Sequence, residues 1–133
     1  MKNVLLIDDD TVSNFINKKN LQLTGLVDKI EIATNGREAL SMFDGHYKSG
    51  NPLPDFIFLD INMPIMNGFE FLELYNKLQF PSKEKIQIIM MSSSENDRDV
   101  VKAKNNGVLR YIFKPLTQKD FIGLMGGLST GLG

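Results

Sequence analysis

The chain of 133 residues contains no cysteine. Disulfides, thiolate metal sites and cysteine nucleophiles are therefore excluded, and a reducing compartment fits. Long apolar runs are missing as well: no segment approaches the roughly 20 apolar residues that a membrane span needs. The first apolar run, Val4-Leu5-Leu6-Ile7, is four residues long and ends in three aspartates, so it does not read as a signal peptide. The expected setting is the cytoplasm. Neither sign of charge is in excess, since 15 Lys and Arg stand against 16 Asp and Glu; the formal net charge of -1 gives no reason to expect a nucleic acid or membrane partner. Histidine occurs once, at His46, in a stretch that reads as a polar surface loop after the second helix and far from any acid cluster. Repeats and linkers are absent before the last few residues. What remains is a chain of one-domain length, 42% hydrophobic and able to bury a sizeable core, with no room in that length for a separate output domain.

Strand-like and helix-like segments alternate along it. Residues 3–7 read as a buried strand. Residues 11–23 follow as a helix with apolar positions Val12, Phe15, Ile16, Leu21 and Leu23, closed by Gly25. Residues 27–33 alternate apolar and polar side chains, as a strand nearer an edge does. Asn35-Gly36 turns into a helix containing Ala39, Leu40 and Phe43, and 45–54 reads as a loop rich in Gly, Ser, Asn and Pro. The pattern then predicts strand 55–60, helix 67–79, strand 85–91, a polar helix 96–106 ending at Gly107, and strand 109–113. Thr117 is placed to cap a last helix through about residue 124. The glycines of 126–133 oppose helix by about 1 kcal/mol each, so that tail is expected to fray. Five strands alternating with five helices make a parallel sheet covered on both faces, a flavodoxin-like doubly wound α/β fold. Strands 1, 3 and 4 are the most continuously apolar and belong in the centre, which favours the order 2-1-3-4-5.

In that order the acids converge. Asp60 closes the run Phe56-Ile57-Phe58-Leu59, and Asp8 and Asp9 close the first strand. Ligands of open α/β sheets bind outside the carboxyl ends of the strands, at the switch point between neighbours such as strands 1 and 3. Three carboxylates there repel one another and call for a divalent cation, and one of them is available as a nucleophile. Ser92 follows the fourth strand and Lys114-Pro115 the fifth. Carboxylates with a metal, a hydroxyl and an ammonium suit a phosphoryl group.

These residues carry a resemblance. Asp8-Asp9, Asp60 within Leu-Asp-Ile-Asn-Met-Pro-Ile-Met-Asn-Gly, Ser92 and Lys114-Pro115, in order at strand ends over nearly the whole chain, resemble the receiver domain of bacterial two-component response regulators, of the single-domain kind. The resemblance implies a receiver domain over 1–125. Asp60 is then the phosphoacceptor, taking its phosphoryl group from the phosphohistidine of a sensor histidine kinase or histidine phosphotransfer protein. Mg2+, with Mn2+ as a substitute, is held by Asp9, by Asp60, by the backbone carbonyl of Asn62 and, directly or through water, by Asp8. Ser92 bonds a phosphoryl oxygen and Lys114 pairs with the phosphate through a segment whose Lys114–Pro115 bond is often cis. On phosphorylation Ser92 moves toward the phosphoryl group and Tyr111 turns inward, which remodels the face of helix 4, strand 5 and helix 5 toward a downstream protein target. Asn62 and Ser94 tune the lifetime of that state.

Plainer readings stand beside these. Asp10 reads as a helix N-cap. Ser93 competes with Ser92, which the register favours. Tyr111 reads either as the switch or as packing, Met63, Met66, Met90 and Met91 as core or loop packing, and Lys18, Lys19 and Lys29 as solvated surface. Two rival functions differ in class. Asp8-Asp9-Asp10-Thr11-Val12 fits the Asp-x-Asp-x-Val signature of haloacid-dehalogenase-like phosphatases, but those need an acidic pair beyond the lysine, where only Asp120 remains, and they leave Asp60 without a task. A binding module independent of phosphorylation would not need the full set of residues found here.

Overall fold

The computed structural model describes residues 2–92, 97–105, 108 and 110–130, the side chains at 47, 97, 99, 100 and 126–130 excepted. Ser93, Ser94, Asn96, Asn106, Gly107, Leu109 and the end of the tail at 131–133 lie outside the described residues. The strands are β1 (Lys2–Ile7), β2 (Val27–Ala33), β3 (Phe56–Asp60), β4 (Gln87–Ser92) and β5 (Arg110–Phe113). They alternate with α1 (Thr11–Leu23), α2 (Gly36–Ser49), α3 (Gly68–Lys77), α4 (Asp97–Asn105) and α5 (Gln118–Thr130). All neighbours pair in parallel in the order β2-β1-β3-β4-β5, as the distribution of apolar runs predicts.

The period of two along each central strand divides the core between the faces of the sheet. Val4, Leu6, Phe56, Phe58, Ile89 and Met91 point to one side, where they meet Leu21 of α1 and Phe121 and Leu124 of α5. Leu5, Ile7, Ile57, Leu59 and Met90 point to the other, against Phe43 of α2, the aromatic face of α3 and Ala103 of α4. Phe121 packs edge-on to Phe56, with ring centroids 5.4 Å apart, and lies 6.2 Å from Phe58.

Three elements depart from the sequence reading. Of the apolar residues expected on the core face of α1, Leu21 alone is buried: Val12, Phe15 and Leu23 are 63%, 71% and 58% exposed, and Ile16 is exposed too. The buried face is Asn14, Asn17 and Leu21. Helix α2 does not stop before residue 45 but runs to Ser49. Gly45 lies on an open face, where its cost of about 1 kcal/mol does not break the helix. The stop is Gly50, in the left-handed conformation at φ +73°, with the Asn51 N–H returning to the His46 carbonyl at 3.0 Å. His46 therefore sits in the last turn of a helix rather than in a loop. It is half-buried, with Nε2 at 2.9 Å from both carboxylate oxygens of Glu31 on β2. Finally, α5 continues past Leu124 to Thr130. Its start is as expected, since Thr117 and Asp120 exchange side-chain and main-chain bonds at 3.0 and 3.1 Å. No helix among the described residues is long and apolar enough to cross a membrane.

Phe58 is fully buried at the centre of the α1–α5 side. Phe58→Ala is expected to lower the free energy of unfolding in urea by about 3–5 kcal/mol; a loss below about 1 kcal/mol would contradict this packing.

Candidate functional site

Parallel register assembles the site. Ile7 pairs with Leu59, so Asp8 and Asp60 leave β1 and β3 side by side. Asp60 in turn pairs with Met91, which puts Ser92 one step further along β4. Ser92 pairs with Phe113, and Lys114 follows at the end of β5. The main chain reinforces this: the Lys114 N–H donates to the Ser92 carbonyl at 2.8 Å and the Asp8 N–H to the Ala33 carbonyl at 3.0 Å. The Lys114–Pro115 peptide is cis. Behind Asp60 the chain turns back so closely that a side chain at Gly68 would place Cβ 2.6 Å from the Asp60 carbonyl oxygen and 3.0 Å from the Ile61 Cα, so only glycine fits.

Asp8 and Asp60 are buried and Asp9 is exposed, yet one carboxylate oxygen from each lies within 4.8 Å of the other two. At an effective dielectric constant near 20, such a separation costs about 3 kcal/mol per charged pair. One cation answers three anions: Lys114 Nζ is 2.6 Å from Asp8 Oδ2 and 3.1 Å from Asp60 Oδ1. Beyond this ion pair Asp8 Oδ2 receives no hydrogen bond among the described residues, while Asp8 Oδ1 accepts one from the Asp10 N–H at 3.0 Å. Burial, and then the negative charge of Asp8, push the Asp60 carboxyl up to about 6 against the opposing pull of Lys114. For Lys114, burial alone favours the neutral amine, but the bond to Asp8 and the charges of Asp60 and Asp8 outweigh it and hold the ammonium above the usual lysine range.

With all three aspartates ionised, the four groups sum to a charge of -2, which one divalent cation cancels. The donor set consists only of oxygens, as hard cations such as Mg2+ prefer. The residues present fit such an ion. Asn62 is exposed in the turn after β3, and its carbonyl accepts no hydrogen bond among the described residues. Asp10 stands apart: its Oδ1 accepts from the Val12 and Ser13 N–H groups at 2.9 and 3.3 Å, which caps α1 and lowers its pKa.

Ser92 is fully buried. Tyr111 lies one strand over, half-buried with its hydroxyl shielded from solvent, and its ring meets Phe113 at 5.5 Å between centroids. The tyrosine ring is thus turned inward in this structure. His46 is not brought to this edge; its partner Glu31 is on β2. Reading the sequence for chemistry passed over Asn14, Asn17 and Asn20 of α1, whose amides bond the main chain at two of these strand ends. Their spacing of three was the available signal.

A family model described as the response regulator receiver domain matches residues 4–125. A solved two-component response regulator from Cytophaga hutchinsonii is similar with a TM-score of 0.87 and 36% identity, covering 96% of each chain. The Mn(2+)-bound form of response regulator Rcp1 is similar with a TM-score of 0.71 and 25% identity, over 98% of this chain and 93% of that one. The sensor histidine kinase CheAY from Helicobacter pylori is 34% identical over 115 residues, which are 84% of this chain and 13% of that protein.

The raised Asp60 carboxyl sets a pH signature in the metal-free protein. Its pKa rises from 3.8 unfolded to about 6 folded, so folding opposes the ionised form. The penalty is absent below about pH 4, grows through pH 4–6 and is complete above. Asp60→Asn is expected to match the wild type near pH 4 and to exceed it by about 1–3 kcal/mol at pH 8 in chelator. Urea titrations at the two pH values decide it, and a less stable variant at pH 8 would contradict the proposed crowding.

Proposed function

The chain belongs to the response regulator receiver domain family, and from that membership we propose that it is the phosphoacceptor switch of a two-component phosphorelay, charged at Asp60 by the phosphohistidine of a sensor histidine kinase or histidine phosphotransfer protein. The observation that carries this reading is the buried Asp60 carboxylate set beside Asp8 and Asp9 with the Lys114 ammonium 3.1 Å away. An Asp60 oxygen forms the new P–O bond as the P–N bond of the donor breaks, and the imidazole nitrogen keeps the electron pair. Lys114 neutralises a phosphoryl oxygen, and the Ser92 hydroxyl donates to another. Asp9, Asp60, the Asn62 carbonyl and Asp8 would hold Mg2+, or Mn2+ in its place. When bound, that ion neutralises phosphoryl oxygens and offsets the repulsion between a carboxylate and an incoming anion. The protein is a switch rather than a turnover enzyme: its product is its own acyl phosphate, lost by slow hydrolysis whose rate Asn62 and Ser94 tune.

A protein donor suits the surface around the site. Val12 and Phe15 of α1 and Ile65 in the turn after β3 are more than half exposed, with Ile16 beside them. Single exposed apolar residues are ordinary, but a stripe at i, i+3 and i+4 beginning three residues after Asp9 is a contact surface. The output face is α4–β5–α5, where Ser92 drawn to the phosphoryl group leaves space for Tyr111. Phe113, Val101 and Ile122 are exposed on those elements. To move such a pair of states from 1:99 to 99:1 takes about 5.5 kcal/mol of differential stabilisation, within reach of several charge-assisted bonds to a new dianion.

Intact mass tests the reading. After incubation with acetyl phosphate or phosphoramidate and Mg2+, the wild type is expected to gain one phosphoryl group, and Asp60→Asn none. A wild type that stays unmodified while folded, with Mg2+ bound, and that a phosphohistidine donor also fails to charge would overturn it.

A further inference from the structure

Helix α1 carries three asparagines, Asn14, Asn17 and Asn20, on one face. Asn14 is 4% exposed and Asn17 fully buried. Buried amides weaken a core unless every polar atom is bonded, and a leucine at either position would pack against the same sheet. Asn14 is not even fully satisfied, since its Oδ1 has no hydrogen-bond partner among the described residues. Apolar packing is therefore not the reason for this row.

Its bonds point to another one. Asn14 Nδ2 donates to the carbonyl of Asp8 at 2.8 Å. Asn17 Oδ1 accepts the N–H of Leu116 at 2.9 Å, and Asn17 Nδ2 lies 3.9 Å from the sulfur of Met91, the residue before Ser92. Asn20 Nδ2 donates to the carbonyl of Leu116 at 2.8 Å. The row thus touches the ends of β1 and β4 and the segment that follows β5. Both main-chain polar groups of Leu116, two residues after Lys114, are taken by α1, and the intervening Pro115 has no N–H to offer. The Lys114 side chain is long and flexible. Its ammonium can be held at 2.6 Å from Asp8 and 3.1 Å from Asp60 reproducibly only if its main chain is fixed on both sides. Ser92 does this before Pro115, through the Lys114 N–H, and the asparagines do it after.

We propose that Asn17, assisted by Asn20, is a positioning residue that sets Lys114 for phosphoryl transfer, while Asn14 holds the Asp8 end of the same site. The proposal rests on Asp60 being the phosphoacceptor. Preorganised charge loses its effect steeply with displacement, and about 1 Å can cost 100-fold.

The test uses the full chain with Asn17→Leu, which keeps the branching and the number of side-chain heavy atoms and removes both bonds. Leu124→Ala serves as a destabilised control from the same side of the core. Phosphorylation by phosphoramidate at saturating Mg2+ is expected to slow about 10- to 100-fold in Asn17→Leu, with the Mg2+ affinity changed less than about threefold. Leu124→Ala keeps the wild-type rate. A second readout is independent of phosphorylation: the ammonium resonance of Lys114, slowly exchanging in a fixed ion pair, is expected in the wild type and absent in Asn17→Leu. Wild-type rate and resonance in a folded Asn17→Leu would overturn the proposal, as would an equal slowing in Leu124→Ala. If Asn17→Leu does not fold, Asn20→Leu is read in the same way, with a slowing of about 3- to 10-fold expected and none contradicting. A wild type that is not phosphorylated, with the Lys114 resonance lost in the variant, counts against the functional reading and supports the positioning role.

Discussion

The structure depends on one electrostatic conflict: three aspartates brought to one sheet edge against a single lysine. The strand ends that carry them are set first by the main chain. The β1–β3 register sets Asp8 beside Asp60, the β4–β5 register brings Lys114 across from Ser92, and Gly68 lets the chain fold back over the Asp60 carbonyl. The central strands β1, β3 and β4 are buried on both faces, so their ends cannot drift without disturbing the core. The conflict is consequently not relaxed by local movement. It is expressed in a carboxyl pushed up to about 6 and an ammonium held above its usual range.

Such a site is poised rather than stable. A divalent cation or the oxygens of a phosphoryl group both change its charge balance by whole units, and a rigid frame transmits the change to its neighbours. Ser92 and Tyr111 lie on the two strands at that side of the sheet, and the surface beyond them carries exposed apolar residues. In the proposed function the same crowding thus serves twice, first to bind the ion and then to drive the change of face. The asparagine row of α1 belongs to the same design, because a flexible lysine needs a fixed main chain to act as a point charge.

Much of this was legible in the sequence. Apolar runs bounded by acids mark β1 and β3 unambiguously, and their centrality puts the acids together without any knowledge of the side chains. Other features were hidden for physical reasons. Val12, Phe15 and Ile16 have the spacing of a core face, and periodicity alone does not tell a face that meets the sheet from one that meets solvent. Two of the three buried positions of α1, Asn14 and Asn17, are polar because they bond main-chain groups, which leave no pattern in composition. Gly45 reads as a breaker, yet an exposed glycine costs a helix too little to end it, and the true stop is Gly50 with its positive φ. His46 was misplaced for the same reason.

The most direct test of the account asks which carboxylate the crowding turns into the nucleophile. The chain is charged with phosphoramidate and Mg2+, reduced with borohydride, which converts an aspartyl phosphate into homoserine, and digested for peptide mass mapping. Homoserine at position 60 alone is the predicted result. Homoserine at position 8 or 9, or phosphate retained on Ser92, would contradict the assignment of Asp60 and the reading of the site built on it.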